Sequence, residues 1–164
     1  MTYSIRHATA EELPAIVPLY ARARQFMRKA GNLHQWTGGY PSEAVLRGDI
    51  AKNRLYLCLE CDQILAVFCY FQDIDPTYLR IYEGQWLNDD PYGVIHRIAV
   101  SCPGKGIAKL CYDWALAQCG NLRIDTHRDN LPMQRSLEQY GFSRCGIIYL
   151  ENGDERIAFH KTVM

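Results

Sequence analysis

The sequence has no excess of charge of either sign and no cluster of basic residues. Its 164 residues contain 18 Lys and Arg against 18 Asp and Glu. Proteins that bind nucleic acid or an anionic membrane surface usually carry a basic patch or stripe. We therefore expect neither nucleic acid nor a membrane among the partners of this protein.

Long apolar runs are also absent. No stretch approaches the ~18 apolar residues that predict a membrane span, and the charged opening MTYSIRHATAEEL lacks the apolar segment of a secretory signal. The seven cysteines are an odd number, spread through strand and helix patterns. Disulfide frameworks of secreted proteins are built from paired cysteines. We therefore expect reduced thiols and a cytoplasmic protein.

The cysteine spacing does not predict a metal site. Cys58 and Cys61 form a CxxC pair, but no second pair of zinc ligands follows at the usual spacing. Both residues lie at the end of a strand pattern, and free cysteines are often buried as small apolar side chains. We expect packing or incidental thiols there, and no metal in the protein.

Two well-known phosphate-binding loops are missing, but a different glycine loop is present. Neither GxxxxGK[ST] nor GxGxxG occurs; instead the strand pattern at 93–100 leads into SCPGKGIAK and then into a helical pattern. The first amides of a helix have no partner within the helix, and they bind an anion that can come close. Gly104 and Gly106 allow that approach, and Lys105 and Lys109 add positive charge. The alternative is an ordinary tight turn before a helix.

The remaining patterns predict a mixed α/β sheet in a single domain over residues 1–164. Predicted strands lie at 3–6, 55–59, 64–71, 93–100, 122–125, 142–150 and 156–163, and predicted helices at about 9–30, 42–52, 107–119 and 131–139. In the order β-α-α-β-β-β-α-β-α-β-β, the strand–helix–strand unit at 93–125 is by default a right-handed parallel crossover. The other strands look antiparallel, so we expect an α+β mixed sheet with helices on both faces.

Three short signals mark boundaries between these elements. Thr9 and Glu12 have the spacing of a capping box, which opens the first long helix. Asp62 lies in the short turn of a predicted hairpin, and Asn152-Gly153 is a strong hairpin signal between the last two strands.

The glycine loop in this context resembles the acyl-CoA motif of the GCN5-related N-acetyltransferases, the GNAT superfamily. That motif has Gln or Arg, two variable residues, Gly, one variable residue, then Gly or Ala. Gly106 and Ala108 match its last two positions, and Ile107 supplies the usual aliphatic residue between them. Pro103 stands where Gln or Arg is expected, which removes a polar side chain and leaves the helix amides in place.

A second segment, residues 130–142, resembles the family's Asn-x-x-Ala…Tyr…Gly-Phe signature. Asn130, Gly141 and Phe142 match it. The family's frequent tyrosine, often the acid that reprotonates the CoA thiolate, falls on Leu137. Tyr140 could substitute for it, although its place beside the helix C-cap favours a packing role.

The resemblance covers nearly the whole chain and implies the GNAT acyl-CoA N-acyltransferase fold, a mostly antiparallel sheet with one splayed parallel pair. The pantetheine arm of acetyl-CoA would lie between strands 93–100 and 122–125, with the pyrophosphate on the amides of 104–109. The implied cofactor-binding residues are Ile98, Ala99, Val100, Gly104, Lys105, Gly106, Ile107, Ala108, Lys109 and Asn130.

In such an enzyme an amine attacks the thioester directly, and the backbone amide of Ile98 is the usual oxyanion donor. An alkyl amine has a pKa of ~10 and needs a base or a water relay near neutral pH. His96 is the first candidate, because a histidine at the matching position is the base in arylalkylamine acetyltransferases; the alternative is a hydrogen-bonded core histidine. Strand alternation places it on one face with residues 94, 98 and 100. Two further candidates for the base are His127 and, acting through water, Glu83. The alternative is that both are ordinary loop residues.

The acceptor side is implied by the same resemblance. Phe26, Trp36 and Tyr40 lie in the two front helices and their connection, which form the acceptor wall in this fold; packing in the core is the alternative. The irregular acidic segment 73–91 favours a covered pocket. We therefore expect N-acetylation of a primary amine of a small molecule. The alternatives are a non-catalytic acyl-CoA-binding module, or a protein or peptide N-acetyltransferase. A homodimer and a monomer are both compatible with the sequence.

Overall fold

A computed structural model describes residues 2–163. The strands are β1 (Ser4–His7), β2 (Leu55–Glu60), β3 (Gln63–Phe71), β4 (Gly93–Val100), β5 (Asn121–Thr126), β6 (Ser143–Tyr149) and β7 (Glu155–Thr162). The helices are α1 (Leu13–Lys29), α2 (Glu43–Ala51), α3 (Ile107–Cys119) and α4 (Leu131–Tyr140), with short 3-10 helices at Ala10–Glu12 and Pro76–Tyr78. The element order is the predicted one, and most boundaries lie within one or two residues of the prediction.

The strands form one seven-stranded sheet in the order β1-β2-β3-β4-β5-β7-β6. Each neighbouring pair is antiparallel except β4 and β5, which are parallel. This parallel pair is held at only two positions, Gly93 with Leu122 and Val94 with Arg123. Beyond Val94 the two strands separate, so a gap opens beside the second half of β4. The predicted mixed sheet with a splayed parallel pair is confirmed.

Helices cover both faces of the sheet. On one face, α3 and α4 contribute Cys111, Tyr112 and Leu137 to a large apolar cluster. On the other face, α1 and α2 contribute residues such as Ile16 and Leu46 to a second cluster. Burial of these two apolar surfaces fixes the helices on the sheet and leaves the gap between β4 and β5 as the opening in the middle.

The local signals read from the sequence correspond to real turns and caps. Thr9 and Glu12 form the predicted capping box. The Glu12 carboxylate also accepts a hydrogen bond from Arg6 at 2.7 Å. The hydrogen bond from Arg6, opposed by partial burial, lowers the pKa of Glu12 to about 2. In the β2–β3 hairpin, Cys61 and Asp62 both have positive φ, 49° and 66°, which is the backbone of a tight type I′ turn.

The cysteines are all free thiols. Cys58 is fully buried in the core, whereas Cys61 is exposed in the hairpin turn, so the CxxC pair does not act as one unit. Among residues 2–163, no group of three or more His, Cys, Asp or Glu side chains is placed to hold a metal ion. Within the same residues, no helix has the length and apolar character needed to cross a membrane.

Candidate active site

A cavity of about 640 Å³ occupies the region where β4 and β5 separate. Its floor comes from the middle of β4 and the end of β5, one wall from the connection between α1 and α2, and another wall from the β6–β7 hairpin. The volume is within the ~300–1,000 Å³ range of small-molecule sites. The separation of the strands therefore produces a ligand-sized space lined by several chain segments.

His96 lies on β4 in the floor of this cavity, with about a fifth of its side chain exposed. Its Nε2 is 2.6 Å from the carboxylate oxygen Oδ2 of Asp75. The second oxygen of Asp75 accepts hydrogen bonds from the backbone N–H of Thr77 at 2.9 Å and from its hydroxyl at 2.7 Å. The Asp75 N–H in turn donates to the Tyr92 hydroxyl at 3.0 Å. These contacts fix the carboxylate and leave the imidazole one well-defined partner.

The carboxyl of Asp75 is held in its charged form. Burial alone would raise its pKa, but the hydrogen bond from His96, the charge of that imidazole and the bonds from Thr77 outweigh burial, so the pKa lies below its usual value. The Asp75 carboxylate accepts a hydrogen bond from Nε2–H of a neutral imidazole, which leaves Nδ1 as the nitrogen that can take up a proton.

A second carboxylate lies on the other side of the imidazole. Asp125, at the end of β5, has its Oδ2 at 3.7 Å from His96 Nδ1 and accepts a 2.7 Å hydrogen bond from the Tyr78 hydroxyl. The Nδ1 distance is too long for a direct hydrogen bond. The imidazole is therefore bonded to one carboxylate and faces a second one across a short gap in the cavity floor.

A β-bulge in β4 immediately follows His96. Cys69 pairs with His96 and Val67 with Ala99, so two residues of β4 lie opposite one residue of β3. The first of the two, Arg97, has a φ of 51°, which is uncommon for a side chain of this size. Bulges re-aim the side chains that follow them.

The bulge overturns the prediction that strand alternation places residues 94, 96, 98 and 100 on one face. Val94 belongs to a cluster with Tyr78, and the His96 ring contacts the Tyr78 ring at 6.0 Å between centroids. Ile98 and Val100 pack instead against the cluster that contains α3. The extra residue at Arg97 shifts the period of the strand, so the side chains of His96 and Ile98 lie on opposite faces of the sheet, although both residues line the cavity.

The backbone of the bulge is held by residues of the front helices. The guanidinium of Arg97 binds both oxygens of Asp49 on α2, at 2.9 and 2.8 Å, and the Tyr40 hydroxyl at 3.0 Å. The Tyr20 hydroxyl of α1 donates to the Arg97 carbonyl. Two-point pairing of this kind is strong and geometrically specific. The acceptor wall and the strand that carries His96 are therefore one connected unit.

The glycine loop lies between the end of β4 and the start of α3, as the sequence predicts. Gly104 and Gly106 have φ of 81° and 73°, and a Cβ at either position would meet no atom within 4 Å. The helix α3 begins at Ile107, and no side chain among residues 2–163 caps its first amides. Lys105 is exposed, while Lys109 pairs with Asp113 at 2.9 Å. The loop thus presents open helix amides beside the end of β4.

Asn130 lies across the gap at the start of α4. Its side-chain oxygen accepts from the Met133 N–H at 3.1 Å, and so caps the helix. Its Nδ2 donates to Oε1 of Gln35, in the α1–α2 connection, at 3.0 Å. Asn130 and Gln35 both line the cavity. This residue, predicted to contact the cofactor, therefore also ties two walls of the cavity together.

The structure brings together only part of the predicted catalytic and acceptor residues. His96, Trp36 and Tyr40 line the cavity, whereas Phe26 does not and its side chain is largely exposed. Glu83 is an exposed residue with positive φ, in a segment that runs beside β6 and outside the cavity lining.

Two further predicted residues lie outside the cavity lining. Tyr140 packs against Tyr112 and donates its hydroxyl to Asp113. Burial and the bond to that carboxylate raise the pKa of Tyr140. His127 is largely buried, and its Nδ1 accepts the N–H of Asp129 at 3.0 Å. Leu137, at the position of the family tyrosine, is fully buried in the core.

Three charged residues of the site were missed in the sequence. Asp75 precedes Pro76 and Thr77, a pattern that signals a helix start, and its side chain does cap the short helix. Its contact with His96, 21 residues later, has no local signal. The same holds for Asp125 and for Arg156, which reach the cavity only because β5 and β7 are neighbours in the sheet.

Comparison with known proteins identifies the family of this chain. No protein-family model and no curated protein sequence matches it. Among solved structures, a GNAT-family acetyltransferase from Streptococcus agalactiae is 30% identical, with 99% of this chain and 96% of that chain aligned and a TM-score of 0.89. The chain belongs to the GNAT family of acetyltransferases. It is therefore an acyl-CoA-dependent N-acyltransferase, and the predicted fold is confirmed.

More distant GNAT structures share the fold. A GNAT-family acetyltransferase from Listeria monocytogenes is 19% identical over 98% of this chain and 95% of that chain, with a TM-score of 0.69. The NatC complex, in a structure bound to Gag peptide and CoA, aligns a chain that is 16% identical over 100% of both chains, with a TM-score of 0.64. Likeness at these identities concerns the fold alone.

Proposed function

We propose that this GNAT enzyme transfers an acetyl group from acetyl-CoA to the primary amine of a small molecule, by direct attack of the amine on the thioester. The observation that carries the proposal is His96 in the floor of the cavity, bonded at 2.6 Å to the fixed carboxylate of Asp75. The imidazole adjoins the gap between β4 and β5, where the family resemblance places the thioester.

The cofactor would bind along the end of β4 and the start of α3. The pyrophosphate meets the amides of residues 104–109, because the glycines leave the helix start open and no side chain occupies it. The pantetheine arm lies in the gap beside residues 98–100, and Asn130 flanks it from α4. The backbone N–H of Ile98, the second residue of the bulge, would stabilise the developing oxyanion.

The base would be His96, with Asp75 as a positioning residue. The acceptor arrives as an ammonium ion, and the negative charges of Asp75 and Asp125 favour its approach to the imidazole. His96 Nδ1 takes one proton from the ammonium ion, and the lone pair of the resulting amine forms the bond to the acetyl carbon. The C–S bond then breaks, the nitrogen loses its second proton to solvent, and the CoA thiolate leaves and takes up a proton. Asp75 stabilises the imidazolium that results.

The donor of the last proton stays a prediction. Tyr140 would have to release its hydroxyl from Asp113 and reach the gap. His127 and Glu83 also stay predictions, as candidates for a water-mediated route to the base.

A small acceptor is favoured over a peptide by the walls of the cavity. The α1–α2 connection is bonded to α4 through Gln35 and Asn130, and to the floor through Tyr40 and Arg97. A peptide needs an open groove, whereas these bonds enclose the site from two sides. A peptide acceptor is the competing hypothesis, because the NatC structure, which shares the fold, is bound to a peptide.

The test is CoA-thiol release by the wild-type enzyme and a His96→Gln variant on a panel of primary amines and short peptides. Glutamine keeps a hydrogen-bonding side chain but takes up no proton, so we expect kcat to fall by roughly 10²–10⁴. Binding of CoA, measured by calorimetry, should be unchanged. His7→Gln is the matched control, since His7 lies on the edge strand β1 and is exposed.

Three results would contradict the proposal. CoA binding without thiol release on any acceptor would mean a non-catalytic binding module. Faster release with peptides than with any small amine would mean a peptide acetyltransferase. A stable His96→Gln enzyme with the wild-type rate would exclude His96 as the base.

A further inference from the structure

Arg156 is a buried arginine in the cavity wall that has no ionic partner within the described residues 2–163. It lies near the start of β7, is only 7% exposed, and lines the cavity from the side of the β6–β7 hairpin. Its Nη1 donates a hydrogen bond to the carbonyl of the adjacent Glu155, at 2.9 Å. Within residues 2–163 it takes part in no ion pair. A guanidinium has five N–H donors, so most of them are unused.

The unused donors of Arg156 are open to the cavity. Its other nitrogens make no hydrogen bond with the described residues. None of these nitrogens is fully buried, however. They therefore keep accessible surface, and the cavity that the residue lines supplies it. A buried charge that is neither paired nor fully solvated is costly to the fold. Such a group is retained most readily where a ligand supplies the counter-charge.

The other shielded arginines show how this fold otherwise treats such charges. Arg97 is paired through both oxygens of Asp49. Arg123 lies between the rings of Trp86 and Tyr92, at 4.1 and 4.0 Å, and donates to a backbone carbonyl. Arg156 has neither arrangement among the described residues. This difference supports a ligand as the source of the counter-charge for Arg156.

Nearby carboxylates do not neutralise Arg156. Glu151 and Asp154 line the same cavity but form no ion pair with it. The Asp154 carboxylate accepts instead from Asn152 in its own turn, at 3.1 Å. Burial first, and then the positive charge of Arg156, lower the pKa of His127.

We propose that Arg156 binds a carboxylate of the acceptor, so that the acceptor is an amino acid whose primary amine lies at His96. This inference rests on the proposed function, because it places the amine at that base. Arginine binds a carboxylate through two parallel N–H···O bonds, which fixes orientation as well as charge. Both residues line the same cavity, and β5 lies between their strands in the sheet order β4-β5-β7. One acceptor molecule in the cavity can therefore contact both side chains.

The test compares three forms of each acceptor: the amino acid, its carboxamide, and the decarboxylated amine. Thiol release is measured with the wild-type enzyme, Arg156→Gln and Arg156→Lys. We expect wild-type kcat/KM for the acid to exceed that for the other two forms, and Arg156→Gln to lower it for the acid alone, by roughly 10- to 150-fold, as for a lost charge-assisted hydrogen bond. Arg156→Lys keeps the charge without the fork and should be intermediate.

The control is Arg144→Gln, which removes the same charge from the adjacent strand β6. Arg144 is half-exposed, bonds to Gln134 and Glu138, and does not line the cavity. It should leave the ratio between acid and amine unchanged. Dividing the wild-type ratio by the variant ratio cancels the intrinsic reactivity of each amine. If Arg156→Gln is unstable, the comparison of acid, amide and amine on the wild-type enzyme still decides the question.

Binding of the same amino acids to the CoA-loaded enzyme, followed by calorimetry, separates the two proposals. Acetylation without preference for the acid, or equal losses on all three forms with Arg156→Gln, would overturn the carboxylate site and leave the N-acetyltransferase proposal intact. Arg156-dependent binding without acetylation would support the carboxylate site and overturn the proposed reaction. Neither binding nor acetylation of any form would overturn both.

Discussion

Replacing Asp75 by asparagine tests whether this carboxylate positions His96 for catalysis. The substitution keeps the shape of the side chain and an oxygen for the two hydrogen bonds from Thr77. It removes the negative charge at 2.6 Å from His96 Nε2. The amide no longer stabilises an imidazolium and no longer dictates which nitrogen carries the proton.

The expected loss follows from the bond between Asp75 and His96. A hydrogen bond to a charged group contributes about 1.5–3 kcal/mol. The bond strengthens as the imidazole takes up the proton of the amine, so its loss acts mainly on the transition state. At 1.36 kcal/mol per factor of ten, kcat should fall by about 10- to 160-fold. The KM for acetyl-CoA should stay unchanged, because the cradle at residues 104–109 is made by another segment.

Stability should depend on pH in a defined direction. The pKa of Asp75 is lowered in the folded protein, so this group stabilises the fold above the unfolded-state pKa of about 3.9. That contribution is lost as the pH falls through the lower folded-state value. The difference in thermal midpoint between wild type and Asp75→Asn should therefore be full above about pH 4 and shrink as the solution is acidified.

Asp73→Asn is the matched control, two residues earlier in the same segment. Asp73 is exposed and lies 3.7 Å from Arg54, and an exposed pair of this kind contributes little. The assay is steady-state thiol release at several pH values, together with thermal melts on the same preparations. An Asp75→Asn enzyme with wild-type kcat would refute the positioning role. So would a decrease in kcat and CoA affinity by the same factor, since a merely structural role predicts that pattern.

Two further substitutions address the cofactor loop and the proton donor. Gly106→Glu should weaken CoA binding at least about tenfold, because a carboxylate would stand at the helix amides. The control is Gly153→Glu, at another open glycine with positive φ. Unchanged CoA affinity of Gly106→Glu in calorimetry would contradict the proposed phosphate cradle. Tyr140→Phe should leave kcat within about twofold and lower stability by about 1 kcal/mol, since it removes only the bond to Asp113. A tenfold lower kcat with an unchanged melting temperature would instead make Tyr140 the acid.

Sequence reasoning succeeded where the signal is local. Capping residues, turn residues and apolar periodicity depend on neighbours within a few positions, and they placed nearly all helices and strands. The glycine loop was also recognisable, because Gly104 and Gly106 adopt the positive φ for which glycine is suited. The family resemblance named His96 as the candidate base, and the structure places this residue in the cavity floor.

The missed features depend on contacts between distant segments. An arginine in a left-handed conformation, such as Arg97, has no local signal, and the face of every later residue of β4 changes at that bulge. Arg156 belongs to a strand buried over most of its length, so alternation could not show which side chain faces the cavity. The pairing of Asp75 with His96 exists only because the irregular segment before β4 folds back over the sheet.

The hydrogen bond between Asn130 and Gln35 has a kinetic consequence. Gln35 Oε1 accepts from Asn32 at 2.8 Å and from Asn130 at 3.0 Å. Asn130, one of the two donors, is a predicted cofactor contact. Gln35, the acceptor, lines the cavity in which the amine is proposed to bind. A ligand that shifts either side chain changes the affinity of the other site, and by reciprocity the effect is the same in both directions. The proposed sites of the two substrates therefore share this hydrogen bond. Each Michaelis constant has to be measured at a stated concentration of the other substrate.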